Sequence, residues 1–254
     1  MNVTHRAKAK APVPNWLLVY GTLITLAEVM LVLVSVPLGS LLHMTLLVAL
    51  ASHTAFSRTP KDPQLPVLLL LPLMRLLSLV MPIAEVDPAY WYLLSAAPAI
   101  LGATLMVRAM EIPWSKLGLG RPASMVVSVV SAGMGIPVGL VLSGTVGPEL
   151  MLQIDGAPLV LGVTILVVVA VLEEFVFRGL LTYVTLVRAP GLVLFVPNLL
   201  YAVMYLASGD GAVVLMMGGT GVLFSAFRQR SGSLYAVIVA HVLMRLVLQV
   251  EPGL

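Results

Sequence analysis

Glu28, Arg75, Glu173, Glu174, Arg178, His241 and Arg245 all stand inside apolar stretches of this sequence. At the centre of a membrane helix a charged side chain costs roughly 2.5–3.5 kcal/mol on insertion scales, with histidine cheaper. Each of these residues therefore needs a partner or a task. The densest group is Val171-Leu172-Glu173-Glu174-Phe175-Val176-Phe177-Arg178-Gly179. On a helix Glu174 and Arg178, four apart, share a face with the acid on the N-terminal side, the better order for an ion pair. Glu173 lies about 100° round the helix and has no partner on its own segment. A carboxylate without a partner in apolar surroundings can exchange a proton near neutral pH, which is the work of a general base. The plain alternative is a buried ion-pair cluster that locks a bundle.

His241 and Arg245 are also four apart, on the last apolar stretch. A histidine in the same bundle as an unpartnered glutamate is a candidate for the same site, although a lone membrane histidine is usually a hydrogen-bonded packing residue. Arg245 could be the counter-ion of Glu173. Glu28 and Arg75, one acid and one base in the first and third stretches, read as a structural pair. Zinc asks for three or four well-placed ligands. Two glutamates and one histidine beside Arg178 do not supply them, and His43 and His53 lie elsewhere, near the ends of the second stretch. No metal and no cofactor is expected.

These residues sit in an unusual background. The chain has 254 residues, 60% hydrophobic and 10% charged, with a formal net charge of +3 and no cysteine. An ordinary soluble domain is roughly 25% charged. So few charges cannot coat so much apolar surface in water. A soluble enzyme, a nucleic-acid binder and a disordered chain are excluded, and the protein is integral to a membrane. The bases are scattered singly, so no nucleic-acid partner is expected, and without cysteine no disulfide forms.

The elements that must hold the charged residues are apolar runs of about 20 residues, the length of a membrane helix. They fall near 16–36, 39–56, 65–84, 90–110, 124–144, 162–186, 192–207, 212–227 and 233–250. Pro60-Lys61-Asp62-Pro63, Val86-Asp87-Pro88 and Ser208-Gly209-Asp210-Gly211 punctuate them. The expected fold is an all-α bundle of about nine transmembrane helices. Eight is possible if two short ones form a re-entrant pair, and the seventh and eighth are the weakest. Gly218, Gly219 and Gly221 suit close helix packing. The stretch 111–123, with Trp114 and Arg121, reads as an interfacial segment.

Loop charges suggest the orientation. His5, Arg6, Lys8, Lys10, Arg58, Lys61, Arg108, Lys116, Arg121, Arg188, Arg228 and Arg230 fall at alternate loops. The opposite loops carry Glu85, Asp87, Glu149, Asp155, Asp210 and Glu251. The positive-inside rule then puts the N-terminus in the cytoplasm and the C-terminus outside. The apolar run after the basic N-terminus is long, contains Glu28 and lacks a clear cleavage site, so it reads as a retained helix.

The Glu173-Glu174-x-x-x-Arg178 motif, with Phe177 before the arginine and Gly179 after it, resembles the CPBP family. That family contains the type II CAAX prenyl endopeptidases and bacterial proteins linked to bacteriocin self-immunity. The resemblance covers roughly residues 114–248, and Leu117-Gly118-Leu119-Gly120-Arg121 is similar to a short piece that often precedes the family's core helices. The division is then 1–110, with four helices and a short basic tail, and 111–254, a CPBP-like core. The family's second motif is an aromatic, three residues and a histidine. It matches Tyr201-Ala202-Val203-Met204-Tyr205, with tyrosine in the histidine's place. The third, a histidine, three residues and usually an asparagine, matches His241-Val242-Leu243-Met244-Arg245, with arginine in the asparagine's place.

The resemblance implies hydrolysis of a peptide bond inside the membrane. Glu173 would activate water, His241 would stabilise an oxyanion, and Glu174 with Arg178 would support them. Tyr205 donates one hydrogen bond but is a poor base at neutral pH. Arg245 could donate to an oxyanion or form a salt bridge that removes Glu173 as a base. Two functions follow. One is a protein of protease type that has lost catalysis and acts as a binding, regulatory or complex-subunit protein. The other is an active intramembrane endopeptidase cleaving a membrane or lipidated peptide. The missing histidine favours the first. The bilayer is the expected surrounding, the cell's inner (plasma) membrane the expected location, and helices 1–3 a possible surface for a membrane-protein partner.

Overall fold

The computed structural model describes residues 15–57, 62–81, 86, 88–150, 152 and 158–250, and every regular element among them is helical. The helices are α1 (Trp16–Leu33), α2 (Val36–Phe56), α3 (Gln64–Val80), α4 (Pro88–Ala109), α5 (Met125–Gly133) and α6 (Gly135–Leu150). They continue with α7 (Leu159–Glu174), α8 (Thr182–Arg188), α9 (Val196–Met204), α10 (Gly211–Ser231) and α11 (Leu234–Val250). A π-helical segment, Phe175–Leu181, joins α7 to α8 without a break. Among the described residues, six helical stretches are long and apolar enough to cross a membrane, and three apolar ones are shorter: Gln64–Val80, Val196–Ser208 and Leu234–Val250. This is a multi-span membrane bundle, with its helical stretches where the apolar runs predicted them.

The differences in detail have local causes. The first run stops at Leu33 because Ser35 opens the next helix, its hydroxyl accepting from the Leu38 amide. The fifth span bends at Met134 into α5 and α6. The sixth runs longer than expected, from Leu159 to Arg188, because the π segment carries it on. Of the two spans expected to be weakest, α10 is of full length, whereas Val196–Ser208 is short. At 1.5 Å per residue it rises about 20 Å, less than the roughly 30 Å of a hydrocarbon core. The loop charges from His5 to Lys10, with Arg58, Lys61, Glu85, Asp87, Asp155 and Glu251, lie outside the described residues, as does the Glu149 side chain.

Close packing brings α11 to the middle. Gly135 and Gly139 of α6, spaced as G-x-x-x-G, meet the backbone of α11 at Ala240 and Met244, flanking His241 and Arg245. A methyl group on Gly135 would collide with the Ala240 carbonyl. At Gly139 it would lie 2.8 Å from the Met244 carbonyl oxygen. Of the three glycines noted in α10, Gly221 makes the critical approach: a Cβ there would meet Asn198, Arg178 and Tyr201. Gly219 faces open space.

The segment after α4 is pinned to the bundle. Trp114 stacks on Phe175 at 6.1 Å and 16°, and Arg228 donates to the Lys116 carbonyl at 2.9 Å. The Leu234 amide donates to the Gly118 carbonyl at 2.8 Å. The predicted interfacial segment is thus tied both to the start of α11 and to the π segment.

Overpacking a tight contact costs roughly 1–3 kcal/mol. Gly139→Leu is therefore expected to lower the melting temperature in detergent and to disturb α11, whereas Gly219→Ala leaves the melt unchanged. Equal melts for the two variants and the native chain would contradict this packing.

Candidate functional site

The π segment begins directly after Glu174 and contains Arg178. Its wider turns put the Thr182 hydroxyl on the Phe177 carbonyl five residues back, at 2.9 Å. Such segments inside α-helices are rare and recur at functional sites. Here it leaves Glu173 and Glu174 at the end of the regular helix, turned toward α11.

The six residues of the expected glutamate–histidine site, Glu173, Glu174, Arg178, Tyr205, His241 and Arg245, come together. The Glu174 Oε1 atom is 2.7 Å from His241 Nδ1 and 3.3 Å from Arg178 Nη1. The predicted Glu174–Arg178 pair is therefore present, but the histidine makes the closer contact. His241 Nε2 accepts from Arg245 Nε at 2.9 Å, so the ring bridges an acid and a guanidinium. With Nε2 accepting, the remaining proton belongs on Nδ1, directed at Glu174. Arg178, completely buried, also lies over the Tyr201 ring, 4.0 Å from its centroid.

Glu173 has the partners that its own helix could not supply. Arg245 Nη2 donates to Glu173 Oε1 at 2.9 Å, and the Tyr205 hydroxyl donates to Oε2 at 2.9 Å. The same Nη2 donates to the Tyr205 oxygen at 2.9 Å, closing a three-membered ring of contacts. The His241 ring lies farther away, with Nε2 at 3.7 Å from Glu173 Oε2. The expectation that Arg245 is the counter-ion of Glu173 is met by direct contact.

Burial divides the cluster. The side chains of Glu174, Arg178 and His241 are inaccessible, and that of Arg245 is 5% exposed, whereas Glu173 keeps 15%. The exposed part faces a cavity of about 330 Å³ lined by Glu173, Tyr205 and Arg245 together with Arg75, Tyr92, Leu172 and Phe177. Glu174 therefore serves inside the wall, and Glu173 is the acid that meets the open space.

Sequence reasoning missed several members. Asn198 of α9 is buried. It donates to the Leu194 carbonyl at 2.8 Å and accepts from the Ser225 hydroxyl of α10 at 3.0 Å, fixing α9 beside Arg178. An amide in an otherwise apolar short run was the available signal. Tyr201, noted only as the aromatic of a motif, carries the cation–π contact. Arg75 pairs with Glu28 as expected, at 2.7 Å from each carboxylate oxygen, and His43 adds a contact at 3.4 Å. It also donates to the main-chain oxygen of Met204, the residue before Tyr205, at 2.7 Å. Helix periodicity gives no hint of that contact, which spans 129 positions.

Residues 155–247 match the family described as type II CAAX prenyl endopeptidase, Rce1-like. No curated protein and no solved structure matches the chain. The match covers α7 through most of α11 and so contains every residue of the glutamate–histidine cluster, starting later than the stretch that the motifs suggested. Glu28, Arg75 and the rest of α1–α6 fall outside it. The resemblance read from the three motifs is thus borne out over this part of the chain: residues 155–247 of this multi-span membrane protein are similar to the CAAX-protease-like family.

Proposed function

We propose that this protein is a non-catalytic member of the CAAX-protease-like group, acting as a binding, regulatory or subunit protein within the membrane. The observation that carries this reading is the double occupation of Glu173. Arg245 bonds one carboxylate oxygen and Tyr205 the other. A general base needs a free lone pair aimed at the proton it removes. A carboxylate facing a guanidinium at 2.9 Å is fixed by a charge-assisted bond. The tyrosine hydroxyl in the family's second histidine position already has its proton on the same acid.

The cavity favours a second reading. It brings open space to Glu173, as an endopeptidase acting on a membrane or lipidated peptide would need. In that case Glu173 is the base, His241 and Arg245 hold the oxyanion, Tyr205 orients the water, and Glu174 with Arg178 supports the histidine.

The family pattern itself supplies a test. The double variant Tyr205→His with Arg245→Asn restores the motif residues and frees Glu173. On a panel of lipidated and membrane-spanning peptides the native chain is expected to show no cleavage, and the double variant to gain it, with Glu173→Ala removing the gain. Cleavage by the native chain that Glu173→Ala abolishes would overturn the proposal. Gentle detergent extraction is expected to bring a membrane-protein partner with the chain, and substitutions on the exposed faces of α1–α3 to release it.

We also place the N-terminus in the cytoplasm and the C-terminus outside, in the cell's inner (plasma) membrane, on the loop-charge asymmetry. A reporter enzyme active only outside the membrane should be active when fused after residue 254 and inactive when fused after Arg188. The reverse pattern would invert the topology.

A further inference from the structure

The cavity wall holds a second charged group that the glutamate–histidine site does not use. Arg75 comes from α3, outside the residues that match the family. It lines the same cavity as Arg245, and the two guanidiniums flank consecutive residues. Arg75 Nη2 reaches the Met204 carbonyl, and Arg245 Nη2 reaches the Tyr205 hydroxyl.

Their bonding is alike in a second respect. Arg75 gives Nε and Nη2 to Glu28, and Arg245 gives Nε to His241 and Nη2 to Glu173. In each case Nη1 is left without a hydrogen-bond partner among the described residues. The acids, by contrast, already have counter-charges: each oxygen of Glu173 accepts from a donor, and Glu28, outside the cavity lining, lies 2.7 Å from two Arg75 nitrogens. The unpaired donors of the charged groups at this cavity therefore both belong to guanidiniums. A guanidinium edge suits a carboxylate or phosphate oxygen. Much of the remaining lining is apolar, with Met74, Leu172 and Met204 among it. At about 330 Å³ the space is at the small end of ligand sites, enough for a head group and part of one chain.

We infer that the cavity binds a single-chain amphiphile with an anionic head, the head held between Arg75 and Arg245 and the chain lying along Met74, Leu172 and Met204. This rests on reading the glutamate–histidine site as a place of binding, and it names the class of ligand. The head would take the Nη1 donors, so Glu173 keeps both of its partners. A cation or a donor-only head finds no free carboxylate there.

The test uses the full chain in a neutral detergent and a long-chain fatty acid carrying a photoreactive diazirine. Crosslinks are expected on the cavity lining, at residues such as Leu172 and Met204. Oleate or lysophosphatidic acid should compete at least tenfold better than methyl oleate. Competition by oleate alone assigns the head as a carboxylate, and by lysophosphatidic acid alone as a phosphate. Ala96→Phe, which fills the cavity without touching a charge, should cut labelling at least tenfold. The charge-neutral pair Glu28→Gln with Arg75→Gln should remove the preference for the acid over the ester. Equal competition by methyl oleate, or crosslinks spread over the lipid-facing surface, overturns the inference. The outcome is separable from the proposed function: loss of the ligand with partner capture intact would sink the ligand class alone, and native cleavage would sink the non-catalytic reading alone.

Discussion

In a bilayer a buried charge has no water to turn to, and the structure around α7 and α11 is arranged by that constraint. Arg178, Glu174, His241, Arg245 and Glu173 form one continuous line in which each member is met by a group of complementary character. The two glutamates cannot share one guanidinium, because adjacent residues on a helix point about 100° apart. Glu174 therefore takes the arginine of its own helix and the histidine of α11, and Glu173 takes the arginine of α11. Removing one member of a buried pair leaves an uncompensated charge, which costs roughly 3–5 kcal/mol. Whatever else this site does, it fastens α7 to α11.

That fastening sets demands on the neighbours. For α11 to present His241 and Arg245 at bonding distance, its other side must be approached closely, and Gly135 and Gly139 of α6 allow it. For Arg178 to be fully buried, α10 must come near enough for its guanidinium to lie against Gly221 and the Tyr201 ring. The first three helices are tied in by charge as well, since Arg75 joins Glu28 of α1 to the main chain of α9. Apolar contact supplies most of the buried surface, but in lipid it does not select one helix neighbour over another, because the acyl chains are equally apolar. Small residues and paired charges make that selection.

Much of this was legible because charge is so scarce in the sequence. With few ionisable residues inside the spans, the pairings Glu174–Arg178, Glu28–Arg75 and Glu173–Arg245 could be named from helix spacing and elimination. The apolar runs located the helical stretches for the same reason. What could not be read was geometry that local sequence does not encode. The π segment at Phe175–Leu181 is a property of tertiary packing, and nothing in its composition departs from an ordinary helix. The G-x-x-x-G of α6 carries no stronger sequence signal than the glycines of α10, because a small-residue pattern shows a possible approach but not the surface approached. The Arg75 contact to Met204 is to a carbonyl, a group every residue has, so no side-chain pattern marks it.

The two departures from the family pattern are best understood as one. Tyr205 and Arg245 touch each other at 2.9 Å, and each touches the same carboxylate. The tyrosine oxygen accepts from the arginine while donating to the glutamate, a pair of roles a hydroxyl fills at once. A histidine at 205 able to assist a base would have to accept from water or donate to the acid. Beside the Arg245 guanidinium, its protonated form would face a like charge across a low-dielectric gap. An asparagine at 245 beside Tyr205 would in turn leave Glu173 without a counter-charge in a place where one is needed. Each of the two side chains removes the penalty that the other would meet, so together they satisfy the buried acid at 173. It leaves the acid fixed at both oxygens and open to the cavity on one side, an arrangement that suits the binding role proposed above.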